Sequence, residues 1–185
     1  MGIYDQSEVC YPYSENSAIA VVPASFTLVL EKLFNPAGYT VENVEHEIEG
    51  AEYEALKFKL NGQTVLYRQA KTTPKKMGHF VTIWKRETPS SEISPFDLND
   101  GLDWVIIAVN NGTNFGVFVF SANLLAEKDV FSKSTKGGKR GIRVYAPWTT
   151  PTAAQAKRTK KWQTENFLNF NNCEDILNSF IRMFS

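Results

Sequence analysis

The dipeptide Asn61-Gly62 is the feature that most constrains how this chain can fold. It separates two segments, together covering residues 53–71, in which apolar and polar side chains alternate. Asn-Gly favours the two-residue type I′ turn, because both residues readily adopt positive φ angles. A loop this short also sets the register, so that Leu56 must pair with Tyr67. The sequence therefore predicts an antiparallel β-hairpin over residues 53–71.

Polar residues occupy the open end of this hairpin. The same register pairs Glu54 with Gln69 and Glu52 with Lys71, and paired residues point to one side of a sheet. A carboxylate and an amide oxygen can bind Mg²⁺ or Mn²⁺, and a neighbouring lysine can orient an attacking water. We therefore take Glu54, Gln69 and Lys71 as candidate catalytic residues, and Glu54 with Glu52 as candidate metal ligands. The simpler interpretation is an exposed ion pair between Glu52 and Lys71.

The remaining patterns predict a mixture of helices and strands. Apolar residues at helical spacing follow Pro23, and β-like runs lie at residues 79–86, 103–109, 115–120 and 141–146. A short helix follows Ser121, and further helices are expected over about 152–170 and about 172–185. This order predicts an α+β (α/β-like) domain with a central mixed sheet of about five or six strands flanked by helices. We expect one domain over residues 1–185, with an irregular lead-in over about 1–22.

Charge is divided unevenly along a chain whose formal net charge is zero. Residues 1–56 hold one basic and ten acidic side chains, whereas residues 57–185 hold nineteen basic and ten acidic ones. Within residues 128–161 ten basic side chains are opposed only by Asp129. Such asymmetry favours an anionic partner, although the two halves of the chain could also neutralise each other in space. Cys10 and Cys173 are far apart in sequence, which favours reduced, structural thiols.

The open end of the hairpin resembles the core of PD-(D/E)XK nucleases, in which an acid is followed one hairpin later by (D/E)-x-Lys. The tripeptide here is Gln69-Ala70-Lys71, so a neutral amide stands where those nucleases have an acid. A longer motif, YRxAKxTPxKxGxFVxxWKR at residues 67–86, resembles the signature of the MepB-like family. The blocks GKR and RVYAPW within residues 138–148, and Gln155 to Gln163, agree with the same family. The resemblance covers about residues 25–170.

This resemblance implies a bacterial, cytoplasmic protein with a restriction-endonuclease-like core and no membrane association. It leaves catalysis open, because the family motif does not require an acid at Gln69. We expect DNA or RNA to bind a basic surface, with Tyr145 and Trp148 as stacking platforms if they are not core residues. The candidate phosphate contacts are Lys75, Lys76, Lys85, Arg86, Lys139, Arg140, Arg143, Lys157, Lys160 and Lys161.

Three hypotheses follow from these expectations. The first is a nucleic-acid-binding protein whose catalytic site is degenerate. The second is an active Mg²⁺- or Mn²⁺-dependent nuclease, with no other cofactor. The third is a regulatory module that binds an acidic protein partner. The sequence leaves the oligomeric state and the choice between DNA and RNA open.

Overall fold

The computed structural model describes residues 22–171 and 175–184. The predicted lead-in up to residue 21, Cys10 and Cys173 lie outside the described residues. So does the start of the predicted C-terminal helix at 172–174.

Nine strands and four α-helices make up the described part of the chain. Helix α1 continues into one π-helical turn, Leu30–Phe34, and a 3₁₀ turn, Ala51–Tyr53, precedes the second strand. In chain order the elements are α1 (Ala24–Val29), β1 (Val41–His46), β2 (Leu56–Leu60), β3 (Gln63–Gln69), β4 (Lys71–Thr73), β5 (Lys76–Thr82), β6 (Trp104–Asn110), β7 (Phe115–Ser121), α2 (Ala122–Glu127), β8 (Gly141–Val144), α3 (Ala154–Thr164), β9 (Phe167–Asn169) and α4 (Ile176–Phe184).

Two sheets are formed from these strands. Six strands make the larger sheet in the order β1-β2-β3-β6-β7-β9, and β4, β5 and β8 make a smaller antiparallel sheet. In the larger sheet β3 and β6 are parallel and every other pair is antiparallel. The chain passes from one sheet to the other at Ala70, whose N–H donates to the carbonyl of Ala108 (2.9 Å). The Gln69-Ala70-Lys71 tripeptide therefore spans two sheets.

Apolar side chains cover both faces of the larger sheet. One face packs against α1, the π turn and α4, and includes Phe26, Tyr67 and Phe180. The other face packs against the smaller sheet and α2, and includes Leu66 and Phe120. Because β6 is buried on both faces, it consists of nearly continuous apolar residues, whereas β3, also buried on both faces, includes the buried polar residues Thr64 and Arg68.

The predicted α+β class with a central mixed sheet flanked by helices is confirmed. The hairpin register is also confirmed from Leu56–Tyr67 to the turn, where Asn61 and Gly62 have φ angles of 48° and 82°. The extension of its first strand back to residue 53 is wrong. That strand begins at Leu56, because the preceding residues form the 3₁₀ turn.

Two further elements differ from the sequence-based expectations. The acidic segment before the hairpin forms β1, which was not predicted as a strand. It is an edge strand of mostly polar residues, so it lacks the alternation of apolar and polar residues that is typical of a strand. The helix expected over about 152–170 ends at Thr164, and Phe167–Asn169 instead form the opposite edge strand. No described helix has the length and apolar character needed to cross a bilayer. The single-domain boundaries stay a prediction.

Candidate functional site

The open end of the hairpin brings Glu54 and Gln69 together, although not through strand pairing. Glu54 follows the 3₁₀ turn in a left-handed conformation, with φ of 52°. This conformation turns its carboxylate back towards the end of β3, where Gln69 is the last residue. The predicted proximity of these two side chains is therefore present, but a local turn creates it.

A hydrogen-bonded network surrounds the Glu54 carboxylate. The Ser25 hydroxyl, on α1, donates to one carboxylate oxygen, and the Tyr67 hydroxyl lies 2.7 Å from Ser25 Oγ. In the orientation that satisfies its neighbours, the Gln69 amide nitrogen donates to both carboxylate oxygens (3.0 and 2.6 Å). Burial raises the pKa of Tyr67 far above its ordinary value, so the phenol remains protonated and can donate to Ser25. We call these four residues the Glu54 network.

Lys71 makes a different set of contacts. It begins β4, and its ammonium lies 3.7 Å from Glu52 and 5.1 Å from the centre of the Tyr53 ring. The side chains of Lys71 and Glu52 are 50% and 67% exposed, so this ion pair is weak. The structure thus places Lys71 with Glu52, as in the simpler interpretation, and places Gln69 with Glu54.

With the Gln69 amide assigned to donate to Glu54, the Glu54 network does not fit Mg²⁺ or Mn²⁺. Mg²⁺ requires near-octahedral oxygen coordination, and Gln69 directs its donor nitrogen at the only carboxylate of this network. Across residues 22–171 and 175–184, no three His, Cys, Asp or Glu side chains converge as a metal site. The metal ligands Glu52 and Glu54 stay a prediction that these contacts do not favour.

Arg68 forms a buried ion pair on the opposite face of β3. It is 1% exposed, and its Nη2 lies 2.5 Å from the carboxylate of Glu47, which follows β1. Its Nη1 also donates to the Tyr67 carbonyl (2.9 Å). Burial lowers the pKa of Arg68, whereas the Glu47 charge raises it. This pair holds the segment after β1 against β3, so Arg68 is structural.

A basic cleft lies between β8, α3 and the end of α2. It has a volume of about 470 Å³, and no Asp or Glu is among the described residues that line it. Its floor includes the apolar side chains of Val130 and Ile142. Four cationic and two aromatic residues on its walls define what we call the basic cleft: Lys128, Lys139, Arg143, Arg158, Tyr145 and Trp162.

Internal hydrogen bonds hold the walls of the basic cleft in place. Gln163 is 1% exposed and bridges α3 to the edge of β8: its Oε1 accepts from the Tyr145 N–H (2.9 Å), and its Nε2 donates to the Arg143 carbonyl (3.1 Å). The Arg143 Nη1 donates to three carbonyls, of which that of Gly78 is closest at 3.1 Å. A Cβ on Gly78 would lie 2.8 Å from the Tyr145 ring, so the ring is packed directly on this glycine.

Three predicted phosphate contacts that do not line the basic cleft are engaged within the fold. Lys85 pairs with Asp100 (2.5 Å), Arg86 pairs with Glu49 (3.0 Å), and Lys160 donates to the carbonyls of residues 147 and 149. The other seven have no ion pair among the described residues, and two of them, Lys139 and Arg143, line the basic cleft. The remaining five are exposed around it: Lys75, Lys76, Arg140, Lys157 and Lys161.

Comparison with known proteins agrees with the fold and the sequence motifs. The sequence pattern of the MepB-like family matches residues 47–169. The crystal structure of MepB superposes with a TM-score of 0.68 at 34% identity, over 71% of this chain and 88% of that one. The chain belongs to the MepB-like family. A bacterial homing endonuclease superposes more distantly, with a TM-score of 0.44 at 15% identity over 75% of this chain and 85% of that one. No curated protein matches the chain significantly.

The MepB-like region contains the whole basic cleft, but Ser25 of the Glu54 network precedes it. Lys128, Arg158 and Trp162 line the cleft but were not among the site residues predicted from the sequence. Helical spacing grouped Lys157, Lys160 and Lys161, yet the cleft is lined by another face of α3, formed by Gln155, Arg158, Thr159 and Trp162. The i, i+3, i+4, i+7 spacing of these four residues is the signal that could have identified this face.

Proposed function

We propose that this MepB-like protein binds nucleic acid through the phosphate backbone, using the basic cleft and the exposed cations around it, without cleaving the strand. The observation that supports this most strongly is a cleft whose lining, within the described part of the chain, has four cationic side chains and no acidic one. Lysine and arginine contacts to phosphate supply most of the affinity in non-specific nucleic-acid binding.

The exposed cations around the basic cleft extend the same surface. Arg143 donates to the carbonyls of residues 76–78, so the turn carrying Lys75 and Lys76 lies beside the cleft. Lys157 and Lys161 belong to α3, which forms one wall. A nucleic-acid strand whose phosphates contact the four cationic residues of the cleft could therefore also contact further cations on two sides of it.

The Glu54 network supports binding rather than cleavage. Its carboxylate accepts hydrogen bonds from Ser25 and Gln69, and Lys71 is paired with Glu52. In this arrangement Gln69 offers hydrogen-bond donors to Glu54 instead of an oxygen ligand to a metal, and the ammonium of Lys71 pairs with Glu52, both of which favour binding over cleavage. An active Mg²⁺-dependent nuclease and a module that binds an acidic protein are the alternatives that the experiment must separate.

The test is a titration with fluorescently labelled single-stranded DNA, duplex DNA and RNA, followed by anisotropy from low to physiological salt. For single strands, the logarithm of the association constant falls with log[salt] with a slope of about −0.7 per neutralised phosphate, so four phosphate contacts predict a total slope of about −3. The double variant Lys139→Ala/Arg158→Ala should reduce the magnitude of this slope by about 1.4. The matched control is Arg182→Ala, an exposed arginine on α4, which packs on the other face of the larger sheet.

Salt-independent binding, or an equal loss of affinity in the Arg182 control, would contradict the proposal. A parallel incubation with Mg²⁺ or Mn²⁺ tests cleavage, and cleavage that Lys71→Ala abolishes would establish the nuclease alternative instead. If no strand binds at low salt while polyglutamate does, the module that binds an acidic partner replaces the proposal.

A further inference from the structure

We infer that the basic cleft takes one unpaired nucleotide of a bound strand, with the base against its aromatic wall and the phosphate at its cationic rim. This inference rests on the proposed function and adds the class of substrate: single-stranded segments or ends rather than continuous duplex. It is carried by the size of the cleft, the chemistry of its walls and their rigidity.

The size of the cleft suits a nucleotide better than a duplex. Its volume of about 470 Å³ lies within the usual range for sites that enclose a small organic molecule. A double helix would contact only the rim, because its bases are stacked and paired inside. A nucleotide that is already unpaired can enter without the energy needed to unstack and unpair it.

The walls combine two kinds of chemistry that a simple anion would not need. Val130 and Ile142 are apolar, and the rings of Tyr145 and Trp162 offer flat surfaces. Base–aromatic stacking is common in single-strand binding and tolerates any sequence, since every base has a π face. Lys128 lies over the Trp162 ring, 5.8 Å from its centre, so a cation already occupies that face of Trp162, and the Tyr145 ring is the one on which a base would stack.

Two cationic groups are placed to meet the phosphate. Only Nη1 of Arg143 has hydrogen-bond partners among the described residues, so its Nη2 and Nε remain for an anion. Arg158 is exposed on α3, and its Nη2 donates to the neighbouring Gln155 (2.9 Å). These two residues stand on elements that Gln163 joins, so the relative position of their backbones is set before a ligand binds.

The experiment compares three probes: a blunt DNA duplex, the same duplex with a single-stranded overhang, and inorganic polyphosphate, which has charge but no bases. The overhang duplex should bind about tenfold or more tightly than the blunt one, the difference that one stacked base supplies. Tyr145→Ala should remove this preference while leaving the salt slope unchanged. Trp84→Ala is the matched control, since Trp84 is half-buried and does not line the cleft.

A second measurement covers the case in which an aromatic variant folds poorly. Deoxyadenosine monophosphate should quench tryptophan fluorescence in the wild-type protein, whereas deoxyribose 5-phosphate should not. Trp162→Phe keeps an aromatic ring against Phe120 and should lose the quenching. Arg158→Ala should weaken the response to the mononucleotide.

The outcomes separate this inference from the proposed function. Equal affinity for blunt and overhang duplexes, or complete competition by polyphosphate at equal charge, would overturn the nucleotide pocket while leaving phosphate binding intact. Failure of every nucleic-acid probe to bind at low salt would overturn both. A preference for the overhang that Tyr145→Ala removes and Trp84→Ala preserves would establish the inference.

Discussion

Replacing Gln163 by leucine tests how the basic cleft is built. The substitution removes both hydrogen bonds that join α3 to β8, leaving the Tyr145 N–H and the Arg143 carbonyl without side-chain partners. An orphaned buried polar group costs roughly 1–3 kcal/mol. Tyr145 and Arg143 are half-buried, which puts each group at the low end of that range. We therefore expect Gln163→Leu to lower the free energy of unfolding by about 2 kcal/mol.

Urea denaturation measures this loss as a lower midpoint, and Gln155→Leu on the same helix is the control. Gln155 is exposed and, among residues 22–171 and 175–184, its side chain accepts a hydrogen bond from Arg158 alone, so its replacement should change stability by less than about 0.5 kcal/mol. Gln163→Glu adds a distinctive signature. A carboxylate cannot donate to the Arg143 carbonyl, whereas a protonated carboxyl can, so this variant should regain stability in acid. Equal midpoints for Gln163→Leu and Gln155→Leu would refute the bridging role.

Three other predictions concern the buried polar groups. Glu47→Ala leaves the Arg68 charge buried and unpaired, which should lower the free energy of unfolding, measured by urea denaturation, by about 3–5 kcal/mol. The double variant Glu47→Ala/Arg68→Met should recover much of this loss. Losses that add in the double variant would contradict the pairing. Burial, and secondarily the nearby arginine at 143, lower the pKa of His79 below its ordinary value of 6.5. Below pH 6.5 the unfolded chain therefore binds more protons than the folded protein, so the free energy of unfolding falls as the pH drops, by at most about 1.4 kcal/mol per pH unit. Above pH 6.5 this contribution of His79 to stability is complete. His79→Leu should remove this pH dependence from urea midpoints measured across pH. Gln69→Glu sets a second carboxylate about 3 Å from Glu54, so its urea midpoint should fall at neutral pH and recover in acid; an unchanged neutral midpoint would contradict the network.

The hairpin shows how far sequence reasoning reaches where local chemistry dominates. Asn61-Gly62 determines a turn and a register from two residues, and the observed pairing of Leu56 with Tyr67 follows directly. The same reasoning failed beyond Leu56, because the alternation of apolar and polar residues continues there while the backbone turns into the left-handed conformation of Glu54. The local alternation of apolar and polar residues does not indicate where tertiary contacts stop a strand from extending further.

The basic cleft shows the opposite case. Lys139 and Arg143 were predicted because they lie close together in one basic segment, but Lys128 and Trp162 come from elements far apart in sequence. Only the packing of α3 against the edge of β8 brings these side chains to one cavity. The density of basic residues along the chain indicated an anionic ligand. The face of α3 that lines the cleft is determined by the hydrogen bonds of Gln163 to β8, and no local sequence pattern reveals that role.

The passage of the chain between sheets at Ala70 separates the two polar residues of the Gln69-Ala70-Lys71 tripeptide. Gln69 ends a strand of the larger sheet and Lys71 begins a strand of the smaller one, so the two halves of the tripeptide belong to separately packed layers. Restoring an acid at Gln69 changes the charge in one layer but leaves the ammonium of Lys71 beside Glu52 in the other. Under the proposed function, which is binding without cleavage, an engineered gain of cleavage activity would require a second change that moves the lysine, and selection for activity should recover paired substitutions on both sides of Ala70.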